Sequence, residues 1–429
     1  MSITNHQLYY EQDLRVPMTH LTLVFNGAGV QQESEKKTGL ARMTAKMLFR
    51  GTLLLSRDAI SQKFELLGAE VNASVSETDF VISISCFTKN LAAVLDLVLL
   101  IIREVNFPQQ ELDLLRKAEL NQLEAALQDP ERVLSAASQY VLYAGTKLGK
   151  IGSKNGIANI AREDIVDFFS KVRAASVLYF TSISDLTRER IEGHANRFME
   201  GRGTDGFELK PETPFKETDG RNAFIVQSTE AKNDRLLWSQ KGIGATDDRR
   251  FDLSLIIDAL GSFEGFLFDE LRNRRGWCYG AYAFIVPATT RSGRIGFYAD
   301  PSLETSEQLI PELLRLISIF SEEKGFQERL RQRNATFKNR YSYQLDVKFK
   351  LASRVSRDRY GIPILGREAY NSRIDEITEI TARRVIDEVF DDRNLCLVFY
   401  GDAERIRRIL AGCDSSIRCT VMEKEVLIA

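Results

Sequence analysis

The order of helices and strands predicted for the first half of the chain recurs in the second half. Aromatic landmarks of the two halves keep nearly one spacing, with pairs 219, 217 and 220 residues apart: Phe107 and Phe326, Tyr143 and Tyr360, and Phe180 and Tyr400. A near-constant offset indicates a duplicated unit rather than two unrelated domains. Each half mixes long helices with meandering strands, which predicts an α+β fold in which an antiparallel-rich sheet carries helices packed on one face.

A polar segment that contains Pro and Gly separates the two halves. Residues 204–221 have the composition of a linker. We therefore predict an N-terminal domain over residues 1–203 and a C-terminal domain over residues 222–429. The chain of 429 residues is long enough for each domain to bury a sizeable core.

Composition and charge argue against several classes of function. The 58 basic and 60 acidic side chains nearly balance, so no charge excess favours nucleic acid as a partner. The most apolar predicted helix, residues 91–105, is interrupted by Asp96 and Arg103 and is better interpreted as a core helix than as a membrane span. No secretory signal is visible, and the five cysteines are scattered without a C-x-x-C pair. These features favour the cytoplasm, with the periplasm as the alternative if a leader was removed.

Residues 37–52 form the most informative stretch of the sequence. Apolar residues at helical spacing predict one short helix closed by Gly51. A second face of this helix carries Arg42, Ala45, Lys46 and Phe49. These four side chains fall together because residues three and four apart are neighbours on a helix.

This stretch resembles the zinc helix of the pitrilysin/insulinase family of peptidases. The family pattern Gly-Leu-x-His-x-x-Glu-His-Met-x-Phe-x-Gly-Thr holds two zinc-ligand histidines and a general-base glutamate. Arg42, Ala45 and Lys46 occupy these three positions here. Zinc binds imidazole, thiolate or carboxylate, which arginine and protonated lysine do not replace, and alanine accepts no proton. We therefore expect a chain that holds no metal or cofactor and is not itself the zinc peptidase.

The family's third zinc ligand is a glutamate on a long downstream helix. Glu119 and Glu124 are the two candidates for that position here. If either carboxylate meets Arg42 or Lys46, an ion pair would occupy the former metal position. A buried pair of this kind would stabilise the fold only weakly, because burying the charges costs free energy.

Residues 269–282 resemble a second family motif, in which Leu-Arg is followed by Arg-Gly-Leu-x-Tyr-Ser-Val-Tyr. Arg272 and Tyr279 keep the spacing of seven residues between the motif's first arginine and its tyrosine. The resemblance implies that both side chains reach a substrate backbone near the scissile bond. A guanidinium and a phenol can both donate to a carbonyl oxygen that gains negative charge. The alternative is a structural role, with Arg272 in a surface salt bridge and Tyr279 packed in a strand.

Two shorter stretches also match family patterns. Residues 70–76 match an edge strand that pairs with extended substrate. The residues that would lie beside the peptide are Val71, Asn72, Ala73 and Ser74. An internal sheet strand is the alternative. Residues 261–265 resemble a shortened version of the family's glycine-bearing loop, for which we expect a turn or a helix N-cap.

The resemblance spans nearly the whole chain and implies a non-catalytic subunit of a heteromeric zinc peptidase that is inactive alone. Such a subunit forms half of a peptide-binding chamber, while a homologous partner with an intact zinc motif supplies zinc and base. We expect a heterodimer that binds extended peptides and neither nucleic acid nor membrane. The alternative is a homodimeric binding or scaffold protein without a proteolytic role. A hydrolase of another type is disfavoured, because His6, His20 and His194 suggest no Ser/His/Asp or Cys/His group.

Overall fold

The computed structural model describes residues 8–150, 152–174, 177–199, 207–208, 210, 213, 216, 218–286, 293–344, 346–390 and 393–429. Within these residues the N-terminal half consists of β1 (Leu8–Gln12), β2 (Met18–Asn26), α1 (Leu40–Met47), α2 (Arg57–Leu66), β3 (Ala69–Val75), β4 (Asp79–Phe87), α3 (Leu91–Glu104), α4 (Gln109–Ala126), α5 (Pro130–Leu142), α6 (Lys154–Ala158), α7 (Arg162–Arg173), β5 (Val177–Ser184) and α8 (Arg188–Asn196).

The described C-terminal half repeats this order with additions near the end. It consists of β6 (Asn222–Gln227), β7 (Arg235–Lys241), α9 (Arg250–Gly261), α10 (Phe266–Phe268), β8 (Cys278–Val286), β9 (Arg294–Pro301), α11 (Ser306–Ile319), α12 (Phe326–Gln344), α13 (Val347–Tyr360), α14 (Arg367–Asp375), α15 (Glu379–Val389), β10 (Cys396–Gly401), α16 (Ala403–Cys413) and β11 (Arg418–Met422). A π-helical segment, Asp269–Arg274, continues α10.

Each half is built around one mainly antiparallel sheet. The first sheet has the strand order β1-β5-β2-β4-β3, and the second has the order β11-β6-β10-β7-β9-β8. Parallel pairing is confined to β1 with β5 in the first sheet and to β6 with β10 and β11 in the second. The predicted α+β class with antiparallel-rich sheets is therefore confirmed. In the described part of the chain, β3 and β8 are edge strands.

Corresponding helices confirm the internal duplication. The helices α4 and α12, α5 and α13, and α7 and α15 each begin 217 residues apart. One sequence landmark is wrong, because Tyr400 is not the counterpart of Phe180. Phe180 lies in the core of its own half, and Phe399 does the same in β10, whereas Tyr400 packs on the opposite face of the sheet. A slip of one residue moves a strand side chain to the other face, so Phe399 is the matching position.

Each half also contributes a helix to the sheet of the other half. Helix α5 packs on the second face of the C-terminal sheet, where Val133 belongs to one buried cluster with Leu237 and Val398. Helix α13 packs on the second face of the N-terminal sheet, where Leu351 joins a smaller cluster with Tyr179. The main cores lie on the first face of each sheet, against the helices of the same half. The exchanged helices therefore join the two halves by burial of apolar surface.

The predicted linker falls mostly outside the described residues, so the domain boundaries stay a prediction. Phe207 places its ring 4.9 Å from that of Phe168 in the N-terminal core. The backbone N–H of Gly220 donates to the Asn394 side chain of the C-terminal half at 3.0 Å. The two described ends of this segment thus contact different halves. Among the described helices, none combines the length and apolar character needed to cross a membrane.

Candidate functional site

Helix α1 carries Arg42, Ala45 and Lys46, the residues that the sequence comparison matched to the zinc-binding pattern. It is shorter than the predicted stretch, since it ends at Met47 and Gly51 already bridges to Ser56. The helix begins after Gly39, whose φ of +104° lies in the left-handed region that favours glycine. The buried Glu33 carboxylate accepts hydrogen bonds from the N–H groups of Gly39 at 2.8 Å and Ala41 at 2.7 Å. An acceptor anion at a helix N-terminus stabilises the first turn, which fixes α1 in place.

The apolar stripe of α1 packs in the N-terminal core and leaves the other face toward α4. Met43 and Met47 are fully buried. Glu119 of α4 meets this face with a side chain that is only 3% exposed. Its Oε1 lies 2.5 Å from Lys46 Nζ, and its Oε2 lies 3.3 Å from Arg42 Nε. The contact that the sequence left open between a downstream carboxylate and Arg42 or Lys46 is therefore present, and Glu119 is the carboxylate.

The other candidate carboxylate is directed elsewhere. Glu124 forms an ion pair with Lys154 at 3.0 Å, and its side chain is mostly exposed. Glu119 and Glu124 are five residues apart on one helix, so they point in directions that differ by about 140°. Only Glu119 therefore faces Arg42 and Lys46.

The donor set at this position does not fit zinc. Glu119 supplies the carboxylate that two cationic side chains already bind, and Ala45 between them has no polar side-chain atom. A zinc ion needs about four neutral or anionic donors, and a dication is repelled by an ammonium and a guanidinium. In the described part of the chain, no group of three His, Cys, Asp or Glu residues is arranged to hold a metal ion.

A cleft of 840 Å³ is lined by residues of α1, α2, β3 and α4. Lys46, Glu119 and residues 69–73 of β3 line this cleft. Among the described strands, β3 pairs only with β4, so its second edge is free. The structure thus places Val71, Asn72, Ala73 and Ser74 in an edge strand, and the alternative of an internal strand is wrong.

Arg272 and Tyr279 lie together at the edge of the second sheet. Arg272 sits in the π-helical segment, and Tyr279 is the second residue of the edge strand β8. The Arg272 guanidinium donates to the backbone carbonyl of Tyr279. It also lies 4.5 Å from the centre of the Tyr279 ring and 5.0 Å from the centre of the Phe268 ring. Isolated π-helical turns are frequent at functional sites.

The alternative of a salt-bridged Arg272 and a packed Tyr279 does not match the described residues. Within the described residues, no carboxylate lies within ion-pair distance of Arg272. The Tyr279 side chain is 75% exposed, so it projects from the strand instead of packing in the sheet. The pair therefore presents a phenol and a guanidinium to solvent.

A partly buried carboxylate holds the backbone around Tyr279. The pairing of β8 with β9 is irregular between Cys278 and Ala281, where a bulge projects Tyr279 and Gly280 out of the regular ladder. Asp300 of β9 accepts a hydrogen bond from the Gly280 N–H at 2.6 Å. Burial raises the pKa of Asp300, and hydrogen bonds from the Gly280 and Tyr279 backbones act against that increase. Burial also raises the pKa of the neighbouring Cys278 thiol to about 12, which keeps it protonated at neutral pH.

The glycine-bearing loop before this motif has a packing role. A Cβ at Gly261 would lie 1.9 Å from the backbone nitrogen of Ala283 in β8. Gly265 is the N-cap of α10, as expected from the sequence. Between these glycines Phe263 is 77% exposed and lies against Phe268, with ring centres 4.6 Å apart. The loop therefore adds the exposed Phe263 ring to the Arg272–Tyr279 surface, where it covers the buried Phe268 ring.

The two groups of site residues remain separate within this chain. Among the described residues, no hydrogen bond, ion pair or ring contact joins Arg272 or Tyr279 to the cluster around Lys46. The sequence reasoning missed Glu33, Asp300 and Phe268, which position the site from outside its motifs. The signal for Phe268 was present, because it lies four residues before Arg272 on the same helical stretch. The contacts of Glu33 and Asp300 depend on tertiary packing and have no local signal.

Comparison with known families decides the relationship that the motifs imply. The sequence profile described as insulinase (peptidase family M16) matches residues 11–152, and the profile described as peptidase M16 inactive domain matches residues 159–333. The chain belongs to peptidase family M16. The two matches follow one another along the chain, in agreement with its duplicated fold.

Individual relatives of this M16 chain are distant. An uncharacterized zinc protease of Mycobacterium tuberculosis is 23% identical over 290 residues, which is 64% of this chain and 64% of that protein. The beta subunit of the mitochondrial-processing peptidase of Rattus norvegicus is 26% identical over 179 residues, 37% of this chain and 37% of that protein. The M16 chain thus spans less than two thirds of the length of these relatives.

Solved structures share the fold across almost the whole M16 chain. A peptidase M16 inactive domain from Pseudomonas fluorescens aligns with a TM-score of 0.81 at 21% identity and covers 93% of this chain and 97% of its own. A protease from Helicobacter pylori aligns with a TM-score of 0.75 at 16% identity and covers 94% and 99%. At these identities the likeness shows the fold alone.

Proposed function

We propose that this chain is the non-catalytic subunit of a two-chain zinc peptidase. It forms half of the peptide-binding chamber, and a homologous partner carries the intact zinc helix. The observation that carries the proposal is the exposed Arg272–Tyr279 pair, which is held in place by Phe268 and by the Asp300 bulge while the chain's own former zinc position is filled by ion pairs.

The chemistry of the two sites supports a division of labour. The Arg42–Glu119–Lys46 cluster offers neither a metal donor set nor a general base, so the chain does not activate a water molecule there. Arg272 keeps guanidinium N–H groups besides the one that it donates to Tyr279, and Tyr279 carries a hydroxyl. Both can donate to a peptide carbonyl oxygen as it becomes an oxyanion. The relatives named zinc protease and processing-peptidase subunit make such a partner reasonable.

The experiment uses a homologous subunit with an intact H-x-x-E-H helix from the same genome, mixed with this chain. Arg272→Ala and Tyr279→Phe should each lower the turnover of the mixed complex by about 10²-fold, the loss expected when one oxyanion donor is removed. Assembly, measured by size-exclusion chromatography, should not change. Arg274→Ala is the matched control, because Arg274 lies in the same π-helical segment and pairs with Asp269 and Glu270. Equal turnover of the Arg272 and Arg274 variants would contradict the role.

The second candidate function is peptide binding without hydrolysis. The cleft beside β3 favours it, because this cleft lies entirely within one chain and needs no catalytic partner. An edge strand captures extended peptides through backbone hydrogen bonds. A chain that binds peptides but does not change the turnover of any zinc-bearing homologue would be assigned this function.

A further inference from the structure

Two clusters of ion pairs beside the cleft carry more positive than negative charge. Arg42 and Lys46 share the carboxylate of Glu119. A second cluster repeats the arrangement, because Arg50 at 3.0 Å and Arg57 at 3.8 Å share the carboxylate of Glu111. Each cluster contains two cations and one anion, and no other carboxylate lies within ion-pair distance of these four cations among the described residues. Together the two clusters therefore have two unbalanced positive charges.

Three of the four cations line the cleft. The Lys46 side chain is 38% exposed and lines the cleft, whereas Glu119 beneath it is 3% exposed. Arg50 and Arg57 also line the cleft. An ammonium has three donors, and Lys46 directs one of them to Glu119. Its remaining N–H groups are thus available to a ligand.

Two further carboxylates also line the cleft. Glu65 and Glu70 line it beside the free edge of β3. These two carboxylates repel an anion, so an anionic group in the cleft binds more favourably beside Lys46. The backbone of β3 can pair with an extended chain along the same cleft.

We propose that the cleft between β3 and α1 binds the carboxylate of an extended peptide, with Lys46 as its main contact. The source of the carboxylate is the free C-terminus of the peptide or an acidic side chain. A fixed ammonium at the former metal position thus attracts the same kind of oxygen that a metal would attract, but it holds the peptide without activating water. This inference deepens the proposed function, since it names the part of a peptide that this subunit would hold.

The test measures peptide binding to the full chain without any partner subunit. The probe is a fluorescently labelled, N-acetylated peptide of eight Ser, Val and Ala residues, prepared with either a free C-terminal carboxylate or a C-terminal amide. Fluorescence anisotropy should show about tenfold tighter binding of the free acid, the gain expected from one partly exposed charge-assisted hydrogen bond. This difference should shrink at high salt, because salt screens exposed charges. Equal binding of acid and amide, or binding of neither, would overturn the proposal.

A third peptide separates the two sources of the carboxylate. It has a C-terminal amide and one internal Asp. If it binds as tightly as the free acid, the cleft recognises carboxylates in general, and if it binds like the plain amide, the cleft recognises the C-terminus. Both results support the proposal only when the free acid also exceeds the amide.

Two variants assign the effect to Lys46. Lys46→Gln should abolish the difference between acid and amide and leave binding of the amide unchanged. Lys154→Gln is the matched control, because Lys154 also pairs with a glutamate of α4 but does not line the cleft. An equal loss in both variants would contradict the assignment. The comparison of peptides on the unmodified chain does not depend on how well either variant folds.

The test of carboxylate binding and the test of the subunit role can fail separately. Peptide binding that ignores the carboxylate, together with partner-dependent turnover that needs Arg272, would overturn this inference alone. Carboxylate-dependent binding by a chain that no zinc-bearing homologue needs would overturn the subunit role alone.

Discussion

Replacing Glu119 by glutamine tests how much the ion pairs of Glu119 with Arg42 and Lys46 stabilise the fold. The substitution keeps the size of the side chain and removes the charge that holds Arg42 and Lys46. Breaking a fully buried ion pair costs about 3–5 kcal/mol. Arg42 and Lys46 are 36% and 38% exposed, so they can turn to water when the carboxylate is lost. We therefore expect a smaller decrease of about 1–2 kcal/mol in the free energy of unfolding.

Differential scanning calorimetry measures this loss as a shift in Tm. For a cooperative unit of about 200 residues, a loss of 1–2 kcal/mol lowers Tm by about 2–8 °C. Glu124→Gln on the same helix is the control, because it breaks the exposed pair with Lys154 and should cost less than about 0.5 kcal/mol. A Glu119→Gln variant as stable as Glu124→Gln would refute the claim that the buried carboxylate organises this position.

Three further predictions concern packing, pH and metal binding. Gly261→Ala should destabilise the chain by about 1–3 kcal/mol, because the added Cβ would overlap the backbone of β8. Gly412→Ala is the control, because a Cβ at Gly412 meets no atom within 4 Å and should not destabilise the chain. Thermal melts followed by circular dichroism compare the two variants. Burial raises the folded-state pKa of Asp300 above its ordinary 3.8, so the stability it contributes is full below that pH and is lost as pH rises through the folded-state pKa. Asp300→Asn keeps an acceptor for the backbone N–H but does not ionise, so it lacks this loss. The Tm of the variant minus the Tm of the original chain should therefore increase as pH rises above about 4. A Tm difference that does not change with pH would be inconsistent with a raised pKa. A triple variant that restores the family's ligands should bind about one zinc ion per chain by atomic absorption and should lose it when Glu119→Gln is added. Its substitutions are Arg42→His, Ala45→Glu and Lys46→His.

Periodicity and turn residues predicted much of the fold. The apolar spacing in α1 and the alternation in β3 and β4 each identify an element from its own residues, because a side chain's face follows from its position in a helix or strand. The duplication likewise follows from spacing alone. The exchange of α5 and α13 between the halves has no such local signal. Burial of Leu351 on the opposite sheet depends on how the two halves meet, which no single segment specifies.

The candidate site was predictable to the same extent. The motif spacing identified Arg272 and Tyr279 as a pair, and the structure brings them into contact. The choice between Glu119 and Glu124 was open in the sequence, because it depends on how α4 is rotated against α1. Glu111 and its two arginines were also missed, since their contact joins three segments that are distant in sequence.

The most direct test of the subunit role measures zinc content and peptide hydrolysis for this chain alone and after mixing with a homologous subunit that has an intact zinc helix. The account predicts a metal-free, inactive single chain and a mixture that cleaves peptides far faster than the zinc-bearing subunit alone. A mixture with no gain in rate and no complex between the two chains would contradict it.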